Sequence, residues 1–210
     1  MKRLFILGAG GHTKQVIDIF EMNNIKIHGV FDDNKPRGSN YYNYEIIDSI
    51  NNAEKYLFKD DLLFCGIGDN KTRGSIIEKF INYQFANCIS PLSIISKRNK
   101  ILGVGNYIGH YVNIMGDTTI GVHNIINDGT VVAHDVDIGN FNLLAPHCVF
   151  AGGIKIGNYN LIGINASVIP KIIIGNNNII GAGAVIIKNV SENSTVVGNP
   201  GKLIKIGYTI

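Results

Sequence analysis

The sequence is poor in the residues that build disulfide frameworks and thiolate metal sites. It holds three cysteines, Cys65, Cys88 and Cys148, which lie far apart and form no Cys-x-x-Cys pair. An odd number of cysteines at such spacings argues against disulfide bonds and against a thiolate metal site. We therefore interpret the three side chains as buried thiols and expect no bound metal.

Long apolar runs and clusters of charge are also missing. No stretch reaches the roughly 18 apolar residues that span a membrane, and the run from Leu4 to Leu7 is too short for a signal peptide. The net charge of +3 comes from 19 basic and 16 acidic residues scattered along the chain, which argues against a nucleic-acid-binding surface. We expect a cytoplasmic protein that binds neither membranes nor nucleic acids, and anionic small molecules stay open as ligands.

What the sequence does contain is a long repeat. An apolar residue recurs at every sixth position without a miss, and the residue after it is usually glycine or alanine. The apolar positions are Leu102, Ile108, Ile114, Ile120, Ile126, Val132, Ile138, Leu144, Phe150, Ile156, Ile162, Val168, Ile174, Ile180 and Ile186. A glycine-rich linker would not keep these residues in phase.

A period of six fits neither a helix, with about 3.6 residues per turn, nor a strand that alternates with a period of two. It fits short strands separated by sharp corners, with one apolar side chain turned inward per strand and a small residue where the backbone turns tightly. Three six-residue segments make one coil, and stacked coils form a solenoid. The repeat therefore predicts a parallel β-helix of about five coils.

The N-terminal third alternates strand and helix patterns. Residues 2–7 predict a strand, and a glycine-rich turn leads into a helix that ends at Met22. A second strand over residues 27–31 precedes Asp32 and Asp33, and a third over residues 61–68 precedes a helix that ends at Ile81. This alternation predicts a small parallel sheet of the mononucleotide-binding type.

The turn between the first strand and helix reads Gly8-Ala9-Gly10-Gly11-His12. Such a turn offers backbone N–H groups and the helix dipole to a phosphate. Its spacing lacks the full Gly-x-Gly-x-x-Gly pattern, which disfavours NAD. The carboxylates of Asp32 and Asp33 are candidates to accept hydrogen bonds from a base or a ribose, and a solvated strand end is the alternative interpretation.

Together, these motifs resemble a known family. They are the glycine turn with His12, the Asp32-Asp33 pair, the Gly-Ile-Gly-Asp-Asn-Lys-Thr-Arg segment ending at Arg73, the Ser90-Pro91 connection, the hexapeptide coils and the Val-Gly-Asn-Pro element ending at Pro200. This set is similar to that of the hexapeptide-repeat sugar acetyltransferases of the PglD and NeuD type. The resemblance covers essentially the whole chain.

The resemblance implies a fold, ligands and an assembly. Residues 1–89 are expected to form a Rossmann-like domain that holds a nucleotide-activated sugar. Residues 90–210 are expected to form a left-handed parallel β-helix, with a C-terminal tail, that holds acetyl-CoA. The family also implies a homotrimer with active sites between subunits.

Acetyl transfer to an amine or a hydroxyl needs a general base, and histidine is the side chain best suited to this near neutral pH. Four of the six histidines lie in the coils, and His134 differs from the others because Asp135 follows it. That carboxylate can fix the tautomer of the ring and stabilise the imidazolium. One coil below and above His134 stand Gly116 and Gly152, so we expect the ring to be open to a bulky ligand on both sides.

The family motif Asn-x6-His followed by an acidic residue matches Asn127, His134 and Asp135. The resemblance therefore implies that His134 is the general base and that Asp135 raises its basicity. Further residues are implied as ligand contacts. They are Gly10, Gly11, His12, Asp32, Asp33, Gly68, Asn70 and Arg73 for the sugar nucleotide, and Gly152, Ile164, Ala182 and Lys188 for acetyl-CoA. Where some relatives have a second histidine that contacts acetyl-CoA, this chain has Leu143.

Phosphate groups of the cofactor need cationic donors. Lysines of the later coils and tail offer them as point charges, namely Lys155, Lys171, Lys188, Lys202 and Lys205.

The predicted reaction is transfer of acetyl from acetyl-CoA to the amino group of a nucleotide-linked 4-amino-4,6-dideoxy sugar, with UDP as the expected nucleotide. O-acetylation of a sialic acid is the alternative within the enzyme class. A zinc enzyme of the γ-carbonic anhydrase type would need three converging histidines, two of them five residues apart, and the coil histidines are spaced differently. A non-catalytic sugar-nucleotide-binding protein would need no base, and Asn127, His134 and Asp135 together speak against it.

Overall fold

The computed structural model describes residues 2–99 and 101–207. The chain divides into two compact units, Met1–Pro91 and Leu92–Ile210. The first is an α/β unit and the second is a left-handed parallel β-helix, so the predicted fold class is confirmed for both. No helix in these ranges has the length and hydrophobicity that crossing a membrane requires.

The N-terminal unit is built on a six-stranded sheet with the order β3-β4-β2-β1-β5-β6. Strand β1 lies in the centre and pairs in parallel with β2 and β5. The elements are β1 (Leu4–Leu7), α1 (Gly11–Met22), β2 (Ile27–Phe31), β3 (Asn40–Tyr41), β4 (Tyr44–Asp48), a 3₁₀ helix (Ile50–Lys55), β5 (Leu62–Cys65), α2 (Asn70–Lys79), β6 (Gln84–Phe85) and β7 (Cys88–Ile89).

The central strand β1 is buried along its whole length, as parallel strands covered on both faces usually are. Helix α1 buries Val16, Ile17, Ile19 and Phe20, and the ring of Phe20 meets Phe64 of β5 edge-on at a centroid distance of 5.6 Å. The predicted strands and helices of this unit are present. The antiparallel pair of β3 with β4, which the sequence pattern did not indicate, adds the sheet's outer edge.

The C-terminal unit consists of two-residue strands, with two longer ones at its end. They are β8 (Ile94–Ile95), β9 (Ile101–Leu102), β10 (Tyr107–Ile108), β11 (Asn113–Ile114), β12 (Thr119–Ile120), β13 (Ile125–Ile126), β14 (Val131–Val132), β15 (Asp137–Ile138), β16 (Leu143–Leu144), β17 (Val149–Phe150), β18 (Lys155–Ile156), β19 (Leu161–Ile162), β20 (Ser167–Val168), β21 (Ile173–Ile174), β22 (Ile179–Ile180), β23 (Val185–Ile186), β24 (Ser194–Val197) and β25 (Lys202–Ile206).

The two-residue strands stack in register into three parallel sheets, and β25 extends one of these sheets by pairing antiparallel with β24. Val131 of β14 pairs with Val149 of β17, which lies one full coil further along the chain. The same offset recurs in each sheet, for example between Thr119 and Asp137. The second residue of each short strand points into the core, and Ile108, Ile126 and Leu144 are completely buried. The six-residue period of the sequence therefore corresponds to one strand and one turn.

The turns between the strands form three edges along the β-helix. Edge I comprises residues 103–106, 121–124, 139–142, 157–160 and 175–178. Edge II comprises residues 109–112, 127–130, 145–148, 163–166 and 181–184. Edge III comprises residues 115–118, 133–136, 151–154, 169–172 and 187–190.

The small residues after the apolar positions have a different role from the one expected. Where a turn contains a left-handed backbone conformation, it occurs two residues later, at positions such as Asp135 (φ 58°) and Phe141 (φ 57°). Gly139 instead allows coils to approach closely, because a Cβ atom there would lie 2.6 Å from the carbonyl oxygen of Gly157. Expecting these glycines to supply the turn conformation was wrong, since close stacking of the backbone requires them.

Edge I holds the coils together through polar and aromatic columns. Asn124, Asn142 and Asn160 lie one above the other and are fully buried. The Oδ1 atom of Asn142 accepts hydrogen bonds from the N–H and the Nδ2 of Asn160, at 2.8 and 3.0 Å. Outside this ladder, the rings of Phe141 and Tyr159 stack at 4.9 Å with an interplanar angle of 8°.

Candidate active site

The predicted base lies on edge III with its carboxylate partner in contact. Nδ1 of His134 is 2.8 Å from Oδ2 of Asp135, so the short aspartate does reach the imidazole. An ionised Asp135 accepts a hydrogen bond from the N–H at Nδ1 of the neutral imidazole, which leaves Nε2 with a free lone pair. The His134 side chain is 67% exposed, and the imidazole is therefore accessible to a substrate.

Gly152 lies directly against the imidazole. A Cβ atom on Gly152 would be 2.7 Å from Cε1 and 2.9 Å from Nε2 of His134. The ring thus occupies the space that a side chain at this position would take. The expectation that the ring is open on both sides is wrong for the Gly152 side, because the imidazole itself leans into that gap.

Gly152 also brings an available backbone donor to the site. On edge I, Asn140 occupies the position in its turn that Gly152 occupies on edge III. The N–H group of Asn140 donates a hydrogen bond to Oδ1 of Asn158 in the next coil, at 2.7 Å. On edge III, the residue one coil above Gly152 is Pro170. Its side chain has no atom that could accept a hydrogen bond from the N–H of Gly152. Within the described part of the chain, the N–H of Gly152 has no acceptor. A free backbone donor therefore belongs to the glycine against which the imidazole of His134 packs.

These residues line a cavity of about 290 Å³ together with Gly153, Pro170 and Lys171. The structure thus brings together His134, Asp135 and Gly152 from the sequence prediction. Lys171, which the sequence offered only as one of five lysines for cofactor phosphates, lies two coils above Asp135 in the same column. Stepping coil by coil from Asp135, rather than from His134, would have pointed to it.

The structure does not bring Asn127 into this cavity. Asn127 lies on edge II, and its Nδ2 donates to the carbonyl oxygen of Leu144 at 3.1 Å. Ile164 and Ala182 lie on the same edge, one coil apart, and both are exposed. Lys188 lies on edge III, two coils above Gly152, and lines a separate cavity at the C-terminal end of the β-helix.

The N-terminal unit has its own cavity at the carboxyl ends of β1 and β5. The cavity has a volume of about 380 Å³, and the glycine turn and the loop after β5 line it. Gly10, Gly11, His12, Asp32 and Gly68 of the predicted sugar-nucleotide contacts are among its lining residues. Gly10 caps α1 without any side-chain hydrogen bond, so the start of this helix can offer N–H groups to an anion.

The acidic pair is engaged by the protein backbone. Asp32 accepts hydrogen bonds from the N–H of Ala9 at 2.6 Å and from the N–H of Asn34 at 2.9 Å. Asp33 accepts from the N–H of Ile50, at the start of the 3₁₀ helix. Asp32 therefore fixes the glycine turn from the side of the cavity, and Asp33 is not among the residues that line it.

Arg73 and Asn70 lie behind the cavity. Arg73 is only 1% exposed, and its guanidinium donates to the carbonyl oxygens of Ile67 and Gly68 and to Oδ1 of Asn70. These bonds shape the loop that follows β5. Both residues were predicted as substrate contacts, and the structure places them as supports of a loop whose Gly68 faces the cavity.

His12 is kept neutral by its surroundings. Burial lowers its pKa to about 4, and the charge of Arg73 adds to this effect, while a hydrogen bond to Gln15 opposes it. Nδ1 of His12 lies 3.3 Å from Oε1 of Gln15, so Nδ1 carries the proton and Nε2 is an acceptor. Tyr41, which the sequence did not indicate, donates its hydroxyl to the carbonyl oxygen of Gly10 at 2.8 Å.

Two family descriptions match this chain. Residues 3–80 match the PglD N-terminal domain, and residues 153–188 match the bacterial transferase hexapeptide, a unit of six repeats. The curated "Uncharacterized protein L142" of Acanthamoeba polyphaga mimivirus is 44% identical over 117 residues. That match covers 56% of this chain and 23% of the viral protein, so the aligned segment is about a quarter of that relative's length.

Solved structures resemble the chain over nearly its full length. Perosamine N-acetyltransferase from Caulobacter crescentus, in complex with CoA and GDP-perosamine, has a TM-score of 0.89 and 29% identity, with 98% of each chain covered. The acetyltransferase domain of PglB from Neisseria gonorrhoeae has a TM-score of 0.88 and 26% identity, covering 97% of this chain and all of that domain. Both parts of the chain therefore match the PglD-type hexapeptide-repeat sugar acetyltransferases, which confirms the resemblance indicated by the sequence.

Proposed function

We propose that this protein transfers acetyl from acetyl-CoA to the amino group of a nucleotide-linked sugar, with His134 as general base. The observation that carries the proposal is the arrangement on edge III. A histidine oriented by Asp135 and a free N–H at Gly152 line one cavity. The perosamine N-acetyltransferase that resembles this chain binds CoA and GDP-perosamine, which supports a donor and an acceptor of these classes.

In the proposed mechanism each group has its own step. The amine of the sugar attacks the thioester carbonyl carbon, and its proton passes to Nε2 of His134. Asp135 stabilises the imidazolium that forms. The developing oxyanion is a suitable acceptor for the free N–H of Gly152. The C–S bond then breaks, and the thiolate of CoA takes the proton from His134, which returns the base to its neutral state.

The nucleotide and the sugar are proposed more broadly. The resemblance favours UDP and a 4-amino-4,6-dideoxy sugar, while the Caulobacter relative binds a GDP-linked sugar. The N-terminal cavity presents a helix start and backbone donors, which suit an anionic part of a sugar nucleotide. The residues that line this cavity do not favour one nucleobase over another.

A homotrimer with sites between subunits is part of the proposal. The predicted catalytic and cofactor residues lie on two different edges of one chain. His134, Asp135, Gly152 and Lys188 are on edge III, whereas Asn127, Ile164 and Ala182 are on edge II. All of them can belong to one site only if edge III of one copy faces edge II of another.

The test is a turnover assay with a panel of acceptors. Purified protein is incubated with acetyl-CoA and amino sugars linked to UDP, dTDP or GDP, and release of the CoA thiol is followed. We expect His134→Ala to lower kcat/KM by about 10²–10⁴-fold, the usual contribution of a general base. Affinity for the sugar nucleotide should change little.

The control variant is His28→Ala, which removes an exposed histidine of β2 whose ring accepts a hydrogen bond from the N–H of Leu4. It should keep turnover close to that of the wild type. Unchanged turnover in His134→Ala would remove His134 from the mechanism. Turnover with a sialic acid and with no amino sugar would replace the proposed acceptor by the O-acetylation alternative.

A further inference from the structure

We propose that Lys171 is a positioning residue that binds the diphosphate of the acceptor and so holds its amino group against His134. This inference rests on the proposed function. Lys171 and His134 line the same cavity, and the proposal concerns how the acceptor is oriented there rather than the proton transfer itself.

The ammonium group of Lys171 is available to a ligand. The residue is exposed, and in the described ranges it takes part in none of the ion pairs, which join Arg3 to Asp61, Arg37 to Asp48 and His134 to Asp135. Because Lys171 has no carboxylate partner in these ranges, no salt bridge has to break before its ammonium group binds an anion. Lysine suits phosphate as a point charge.

The side chain of Lys171 runs back towards the coil of His134. Its backbone N–H donates to the carbonyl oxygen of Gly152 at 3.0 Å, which fixes the start of the side chain. Its Cγ atom lies 3.5 Å from the position a Cβ atom would take on Gly153. Gly153 separates Lys171 from Asp135 in the column, so the missing side chain leaves a path along which the stem can lie.

Both substrates of the proposed reaction carry phosphates, and their chemistry separates them. In acetyl-CoA the entire pantetheine arm, with its two amide groups, lies between the thioester and the phosphates. In a sugar nucleotide only the sugar ring lies between its amino group and the diphosphate. The amine must come within hydrogen-bonding distance of Nε2 of His134. The diphosphate of the acceptor therefore lies no further from the amine than the length of one sugar ring.

Coils stack at about 4.8 Å, which places the backbone of Lys171 about 10 Å along the stack from that of Asp135. A side chain directed back over Gly153 covers much of this separation. The phosphate nearest to Lys171 is therefore that of the acceptor, and the phosphates of CoA lie beyond the far end of the pantetheine arm.

The test uses Lys171→Met, Lys171→Arg and a control, Lys97→Met. Lys97 is an exposed lysine on the same side of the β-helix, two coils below the turn of His134 and outside its cavity. We expect Lys171→Met to raise KM for the sugar nucleotide about tenfold, as loss of one charge-assisted hydrogen bond does. KM for acetyl-CoA and kcat should stay within about threefold, and arginine should restore most of the acceptor affinity.

Two further measurements identify the phosphate. In the wild type, KM for the sugar nucleotide should rise with ionic strength, because salt screens the attraction between Lys171 and the diphosphate. In Lys171→Met this contact is absent, so KM should depend less on ionic strength. With acetyl-pantetheine, a donor that lacks the phosphates of CoA, the defect of Lys171→Met should persist unchanged.

The outcomes separate this proposal from the proposed function. A KM increase confined to acetyl-CoA, and absent with acetyl-pantetheine, would assign Lys171 to the phosphates of the donor instead. A fall in kcat with both KM values unchanged would assign it to the reacting atoms. An unchanged Lys171→Met enzyme would exclude the residue from the site. Absence of wild-type turnover with every amino sugar would contradict the proposed function itself.

Discussion

Gly152→Ala tests whether the imidazole of His134 must lie where the structure places it. The added Cβ atom would be 2.7 Å from Cε1 and 2.9 Å from Nε2, so the ring has to move by about 1 Å. A displacement of this size in a reacting group costs about 10²-fold in rate. We therefore expect kcat/KM for acetyl transfer to fall about 100-fold, measured by thiol release.

The fold should tolerate this change. Gly152 does not adopt a left-handed φ, so alanine is compatible with the backbone there. The imidazole is exposed and can rotate away without disturbing the core. Because alanine restricts the unfolded chain, the free energy of unfolding should stay the same or rise by about 0.4–1 kcal/mol. Thermal unfolding of the variant would thus show an intact protein with a misplaced base.

Gly116→Ala is the matched control. Gly116 occupies the same column one coil below His134 and also lacks a left-handed φ. A Cβ atom there would meet Cβ of Arg98 and Oγ of Ser96 at 3.4 Å, and no atom of His134 within 4 Å. Its kcat/KM should stay within about threefold of the wild type. Equal losses in the two variants, or wild-type activity in Gly152→Ala, would refute the assigned position of the base.

Two predictions concern stability. The pKa of His12 is lowered to about 4 by burial, so the unfolded chain binds its proton at higher pH than the folded one. Stability should fall by about 2 kcal/mol between pH 6.5 and 4, and His12→Asn should reduce this slope in urea titrations at several pH values. Asn142→Ala removes the acceptor of two Asn160 hydrogen bonds and should cost about 3 kcal/mol of unfolding free energy; a loss below 1 kcal/mol would contradict a role for the ladder.

The sequence predicted the β-helix because its constraint is strictly periodic. One inward side chain per strand and three strands per coil determine which residues stack, and the pairing of Val131 with Val149 follows from counting alone. The contact between His134 and Asp135 was likewise local. The repeat did not reveal why glycine occurs at positions such as Gly139. Close approach of neighbouring coils and a tight backbone turn both favour glycine, so the sequence pattern alone does not distinguish them.

Other features depend on side-chain directions that a linear pattern does not contain. Arg73 follows a glycine-rich loop and looks like a ligand contact, yet the carbonyl oxygens of Ile67 and Gly68 draw it inward. Asn127 belongs to the motif of His134, but a strand lies between them and places them on different edges. The role of Tyr41 depends on a hairpin of two-residue and five-residue strands that has little periodicity to detect.

Edges I and III differ in how much their side chains stabilise the stacking of coils, and this difference affects which substitutions the protein tolerates. Edge I carries the asparagine ladder and the stacked rings of Phe141 and Tyr159, so substitutions there disturb the alignment of whole coils. Edge III, as far as the structure describes it, lacks the corresponding side-chain caps at His134 and Gly152, and its cavity residues join neighbouring coils through backbone hydrogen bonds. Laboratory evolution towards new acceptors should therefore accumulate accepted changes along edge III while edge I stays nearly constant.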